Sequence, residues 1–190
     1  MRVSFGVLLI AVFLTGCIYG TENIQDSAEV VRAASYREPG PATITLFTSI
    51  DEVTNRGEHT ALLINGPERV LYDPAGRFRH INAPEQADVL FGITDDVLGA
   101  YYAHQAPPDH FLRAQTIVVS QEIARIAYEA ARMQGRSGDG FCTVHTSAIL
   151  SKIPGFDVGS AIFPKALSGR FAELDGVITR DIRIGDPVSP

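Results

Sequence analysis

Cysteine is scarce in this chain of 190 residues: two are present, Cys17 and Cys142. They form no CxxC pair, and no HExxH stretch exists. The usual zinc-ribbon and metalloprotease patterns are therefore missing, and neither a metal nor a cofactor is expected. Basic residues are also few, with 16 Lys and Arg against 22 Asp and Glu and a net charge of −6. They form no cluster, which excludes nucleic acid as the expected partner. Internal repeats and low-complexity runs are absent. The one sustained apolar run, residues 7–14, lies at the start and is too short to span a bilayer as a mature anchor.

That run follows a single positive residue, Arg2, and precedes Leu14-Thr15-Gly16-Cys17. It reads as a signal peptide over 1–16. Leu-Thr-Gly-Cys resembles the bacterial lipobox, which implies that Cys17 is lipidated, as with palmitate, and becomes the mature N-terminus of a lipoprotein. Ile18, rather than an aspartate, follows the cysteine. By the same resemblance this favours the outer membrane, facing the periplasm, with the lipid bilayer as a partner through Cys17. Removal of 1–16 leaves about 170 residues, enough for one domain with a real core. It also moves the net charge to −7, because Arg2 is lost. Cys142 then becomes a lone thiol in an oxidising compartment. An unpaired cysteine there is either reactive or a buried, inert core residue.

Residues 17–41 are polar, end in Pro39-Gly40-Pro41, and read as the lipidated N-terminus and a tether, with a short helix at 28–34. The domain is expected over 42–190. Residues 42–50 are rich in β-branched types and predict a strand. Thr60, Leu62 and Ile64 alternate with His59, Ala61 and Leu63, and a turn at Asn65-Gly66-Pro67-Glu68 leads to a second strand over 69–73. This is a β-hairpin pattern. A short strand or edge segment is expected at 87–92. Thr94 caps a helix that runs up to Pro107-Pro108, 110–120 predicts a strand, and Ser120 caps a helix stopped by Gly135. A short helix after Pro164, a last strand at 176–184 and a frayed tail complete the reading. Antiparallel strands with segregated helices make the class α+β.

The chemistry concentrates at 138–156. Gly138 and Gly140 allow a tight loop, Cys142 follows, and Val144, Ala148, Ile149 and Ile153 recur at helical spacing until Pro154-Gly155. Cys142 thus sits at a helix N-terminus, where unsatisfied N–H groups favour a thiolate. Asp139 beside it works in the opposite sense. A thiolate nucleophile needs an imidazole within hydrogen-bond reach and a third group to orient the ring. Of five histidines, His59 is the best placed, at the start of a strand whose same-side neighbours are the apolar Ala61 and Leu63. His145 competes, three residues after Cys142. It is kept with Tyr102 as a candidate for a substrate groove, Tyr101 and Tyr102 both lying on the helix capped by Thr94. His104 and His110 flank the Pro-Pro loop and are expected in solvent.

A histidine opening a strand hairpin, His59 with ALLINGPERVLYD, and a downstream cysteine at a helix N-terminus, Phe141-Cys142-Thr143 with AILSKIPGF, resembles the circularly permuted NlpC-type papain-like cysteine hydrolases. Lecithin:retinol acyltransferase-like enzymes belong to the same group. The matching residues cover about a quarter of the mature chain. The resemblance implies an antiparallel sheet with helices packed on it, Cys142 as nucleophile and His59 as base. The group places a polar residue on the strand after the histidine. Here that is Asp73, which is also a natural Asp-Pro turn initiator, with His80 as the fallback. The implied function is a hydrolase or acyltransferase acting on an amide or ester in the cell envelope, a peptidoglycan peptide or a lipid. The alternative is a non-catalytic envelope lipoprotein that uses the same fold for binding or structure.

Overall fold

The computed structural model describes residues 25–188. The signal segment, Cys17 and the start of the tether lie outside the described residues. Seven strands form one antiparallel sheet. In chain order they are β1 (Thr43–Asp51), β2 (Gly57–Asn65), β3 (Arg69–Tyr72), β4 (Glu85–Gln86), β5 (Val89–Leu90), β6 (His110–Val118) and β7 (Ile178–Ile182). Their spatial order is β4-β5-β3-β2-β1-β6-β7. Five helices cover the sheet: α1 (Ala28–Ala33), α2 (Asp95–Gln105), α3 (Gln121–Gln134), α4 (Cys142–Leu150) and α5 (Pro164–Phe171). The α+β class expected from the sequence is the class observed.

The strands bury both faces, and their alternation sorts the core into two halves. Ile44, Leu46, Leu62, Ile64, Val70 and Tyr72 face α3, α4 and α5, where they meet Ala127, Ala131, Ile149, Leu150, Leu167 and Phe171. Phe47, Ala61, Leu63, Leu71, Leu112 and Ala114 face α2 and meet Val97, Leu98, Tyr101 and Tyr102. Burial of a side chain of this size is worth about 1.5–3 kcal/mol each, so this two-sided sheet is the main source of stability. The helices begin where their caps dictate. The hydroxyls of Ser27, Thr94 and Ser120 accept the N–H groups of Val30, Val97 and Ile123 at 3.3, 3.4 and 3.2 Å. Helices α4 and α5 differ: their N-caps are Phe141 and Phe163, and no side chain caps either.

Three expectations change. The segment expected at 87–92 is the second half of a tiny hairpin, β4 and β5, whose two turn residues, Ala87 and Asp88, both have positive φ (51° and 66°). That is the backbone a two-residue hairpin turn demands. The stretch 25–41, expected as part of a tether, lies on the domain. Val31 enters the core, Asp26 N–H donates to the Glu85 carbonyl at 2.9 Å, and Arg69 N–H donates to the Tyr36 carbonyl at 2.6 Å. The described part of the tail expected to fray, as far as Val188, folds back: Arg180 donates to the Pro187 carbonyl at 2.8 Å, and Val188 packs on the α2 side of the core.

Candidate active site

The hairpin of β2 and β3 places two polar side chains on one side of the sheet. His59 shares its face with Ala61 and Leu63, both in the α2-side core. The last β2–β3 ladder pair is Leu62 with Tyr72, so Asp73, one residue on, emerges on the His59 side. His59 Nε2 and Asp73 Oδ1 lie 2.6 Å apart, with side-chain exposures of 17% and 1%. Opposite β1 the register slips between Ser49 and Ile50, leaving Glu58 unpaired. A bulge of this kind bends a strand, here at the residue before His59.

Asp73 is held tightly. The Tyr101 hydroxyl, from α2, donates to the same Oδ1 at 3.3 Å. Oδ2 is buried and has no hydrogen-bond partner among the described residues. A Cβ at position 76 would sit 1.7 Å from it, so the turn after Asp73 accepts only glycine. Asp88 braces the same turn: its carbonyl accepts the Asp73 N–H at 2.8 Å and its Oδ2 accepts the Ala75 N–H at 3.2 Å.

Cys142 is the first residue of α4, which packs on β2. The Thr143 hydroxyl lies 3.8 Å from its sulfur, and the His59 ring and the Thr60 backbone are near enough to act on the thiol electrostatically. Nε2 of His59 is taken by Asp73, which leaves Nδ1 as the ring nitrogen not engaged with the carboxylate. Burial pushes the Cys142 thiol up, but the hydrogen bond and charge of His59, with help from Thr143 and Thr60, bring it below its ordinary value. Burial pulls His59 down, and the charge and hydrogen bond of Asp73, then those of Cys142, lift it well above the usual imidazole range. Opposite shifts on the two groups favour moving the thiol proton to the ring. The uncapped first turn of α4 adds N–H groups beside the sulfur, able to receive an oxyanion.

The other histidines serve elsewhere. His145 does not join Cys142. Its Nδ1 lies 3.3 Å from the Tyr72 hydroxyl and 3.5 Å from Gln134 Nε2. His80 stacks on Phe78, and its Nδ1 accepts the Asn82 N–H at 3.2 Å, so the place beside His59 belongs to Asp73. His110, expected in solvent, pairs with Glu58 at 3.0 Å. Asp51, Glu58 and His110 come within 4.8 Å of one another, and the His110–Glu58 ion pair accounts for that grouping. Tyr102 lines an apolar cavity of about 280 Å³ between α2 and strands β1, β6 and β7. That cavity is lined by Phe47, Leu63, Ala114, Ile182 and Val188, and Cys142 is not among its walls.

Tyr101 and Asp88 support the site without having been singled out for that task by the sequence. Tyr101 reads as one of two aromatics on a helix, and Asp88 as the polar residue of a short strand. No local pattern marks either. Set against known protein families, curated proteins and solved structures, the chain matches none.

Proposed function

We propose that the protein is a cysteine hydrolase or acyltransferase with a permuted papain-like fold, in which Cys142, His59 and Asp73 are the catalytic residues. The observation that carries this reading is the 2.6 Å pair of His59 with the buried Asp73 carboxylate, together with Cys142 at the start of α4, near enough for sulfur and ring to shift each other's pKa in opposite directions. The Cys142 thiolate adds to the carbonyl carbon of an amide or ester. The backbone N–H groups at the start of α4 receive the developing oxyanion. His59 gives its proton to the departing amine or alcohol, leaving a thioester on Cys142. Water, or an acceptor alcohol or amine, then attacks that thioester and gives its proton to His59. The acyl product leaves, and the thiolate–imidazolium pair is restored. Asp73 keeps the ring in register and stabilises its charge throughout.

The lipobox-like segment extends the proposal to location: a lipoprotein tethered at Cys17, in the outer membrane and facing the periplasm. No helix among the described residues is long and apolar enough to cross a membrane. In that compartment the substrates within reach are peptidoglycan peptide amides and lipid esters. A binding role with the same fold is the second reading. It is favoured by the covering of Cys142, which is only 8% exposed.

Alkylation separates the two. In the folded protein iodoacetamide reacts with Cys142 with a pH midpoint below the value of about 8.5 of a free thiol. A midpoint at or above the free-thiol value, or no reaction without denaturant, removes the catalytic reading.

A further inference from the structure

Asp88 links two segments that the proposed chemistry needs at a fixed separation. Its carbonyl takes the Asp73 N–H at 2.8 Å, and its Oδ2 takes the Ala75 N–H at 3.2 Å. The same Oδ2 takes the Ser137 N–H at 2.7 Å, in the loop that leads to Cys142. Arg136, from that loop, lies 3.7 Å from Oδ1. The residue is 5% exposed. It is carried by the two-residue turn between β4 and β5, and its φ of 66° aims one carboxylate at both segments.

We infer that Asp88 is a positioning residue that sets the spacing between the turn holding Asp73 and the loop delivering Cys142. This rests on the thiolate–imidazolium reading of the site. Asp88 touches neither the sulfur nor the His59 ring. It acts through backbone N–H groups, three of them, belonging to positions 73, 75 and 137. A buried carboxylate that accepts backbone N–H groups is a strong, directional clamp. The charged groups around it are Arg136 and Glu85, whose burial raises its pKa to about 7; the phenol of Tyr72 also feels the Asp88 charge. None of these lies among the groups that chiefly shift the thiol, so a change in Cys142 on altering Asp88 reports geometry.

Two substitutions divide clamp from charge. Glycine tolerates the positive φ at 88 and deletes the carboxylate, and asparagine tolerates it while keeping an amide oxygen for the two side-chain hydrogen bonds. The pH midpoint of iodoacetamide alkylation is measured for folded wild type, Asp88→Gly and Asp88→Asn, with circular dichroism to verify folding. Asp88→Gly raises the midpoint by at least about half a unit, roughly a threefold loss of thiolate at a fixed pH below it. Asp88→Asn stays close to wild type. A folded Asp88→Gly with an unchanged midpoint overturns the positioning role, even if its melting temperature falls. A wild-type midpoint at the free-thiol value is a different result, and overturns the catalytic reading on which the role rests. Should Asp88→Gly not fold, Asp88→Asn decides alone: a midpoint displaced by a unit or more, about tenfold, contradicts the clamp.

Discussion

Replacing Asp73 by asparagine removes one charge from the site and leaves its shape nearly intact. In the native protein the His59 ring nitrogen is 2.6 Å from the Asp73 oxygen, and Asp73 is all but inaccessible. Charge centres about 4 Å apart at an effective dielectric of about 20 interact by about 4 kcal/mol, close to three pKa units as an upper limit. The amide oxygen of asparagine retains a neutral hydrogen bond, which recovers about 1 kcal/mol of this. Solvent and relaxation take a further share, so His59 falls by about one to two units in Asp73→Asn. The consequence for Cys142 has a definite sign. With its ring partner a weaker base, the thiolate loses support from His59, and the alkylation midpoint rises. The assay is the pH dependence of the iodoacetamide rate, read by intact mass between pH 5 and 10 on protein verified as folded. An Asp73→Asn protein with the wild-type midpoint refutes the claim that the carboxylate sustains the ion pair.

Two further outcomes follow from the same geometry, and a third from the lipobox-like segment. Gly76→Ala drives a methyl group into the Asp73 carboxylate, where 1.7 Å is available; the overpacking costs about 1–3 kcal/mol in urea unfolding and raises the thiol midpoint, and a neutral effect on both contradicts the described turn. In a Cys142→Ser background His59 keeps a folded-state pKa raised by Asp73 above its unfolded value of 6.5; its contribution is fully present below that value and is lost as pH rises through the folded pKa, so unfolding free energy declines toward alkaline pH and the decline vanishes in Cys142→Ser/His59→Gln. Cys142 itself runs the other way: a lowered folded pKa contributes above the unfolded value and is lost as pH falls. Cys17→Ser releases the protein from the membrane fraction, and its retention there refutes lipid attachment.

Much of the site was legible because its signals are local. His59 beside Ala61 and Leu63, and Cys142 before an apolar helix, each follow from the period of the surrounding chain. Asp73 needed only the observation that it ends the paired strand, although Asp-Pro is equally a turn signal. What escaped has no local signature. Asp88 sits in a two-residue hairpin so short that its strands, Glu85–Gln86 and Val89–Leu90, carry no readable alternation. Tyr101 is one of two adjacent aromatics, and only the tertiary arrangement turns its hydroxyl to Asp73 while Tyr102 goes to the cavity beneath α2. The polar stretch 25–41 reads as a tether because few of its residues are apolar. It docks through backbone hydrogen bonds and the single buried Val31, which composition does not register. Helix α4 buries Thr143, Thr146 and Ser147 together with Cys142, Ile149 and Leu150, so the apolar spacing marks the helix more clearly than the face it buries.

The protonation state of His59 tests the central claim most directly. In ¹⁵N-labelled protein at pH 7 the two ring nitrogens of His59, assigned by comparison with His59→Gln, are expected at imidazolium shifts, with a proton on each. In Cys142→Ser the Nδ1 signal alone should move strongly, since the thiolate partner is gone. A neutral ring at pH 7, with one nitrogen protonated and no response to Cys142→Ser, would contradict the ion pair and with it the proposed chemistry.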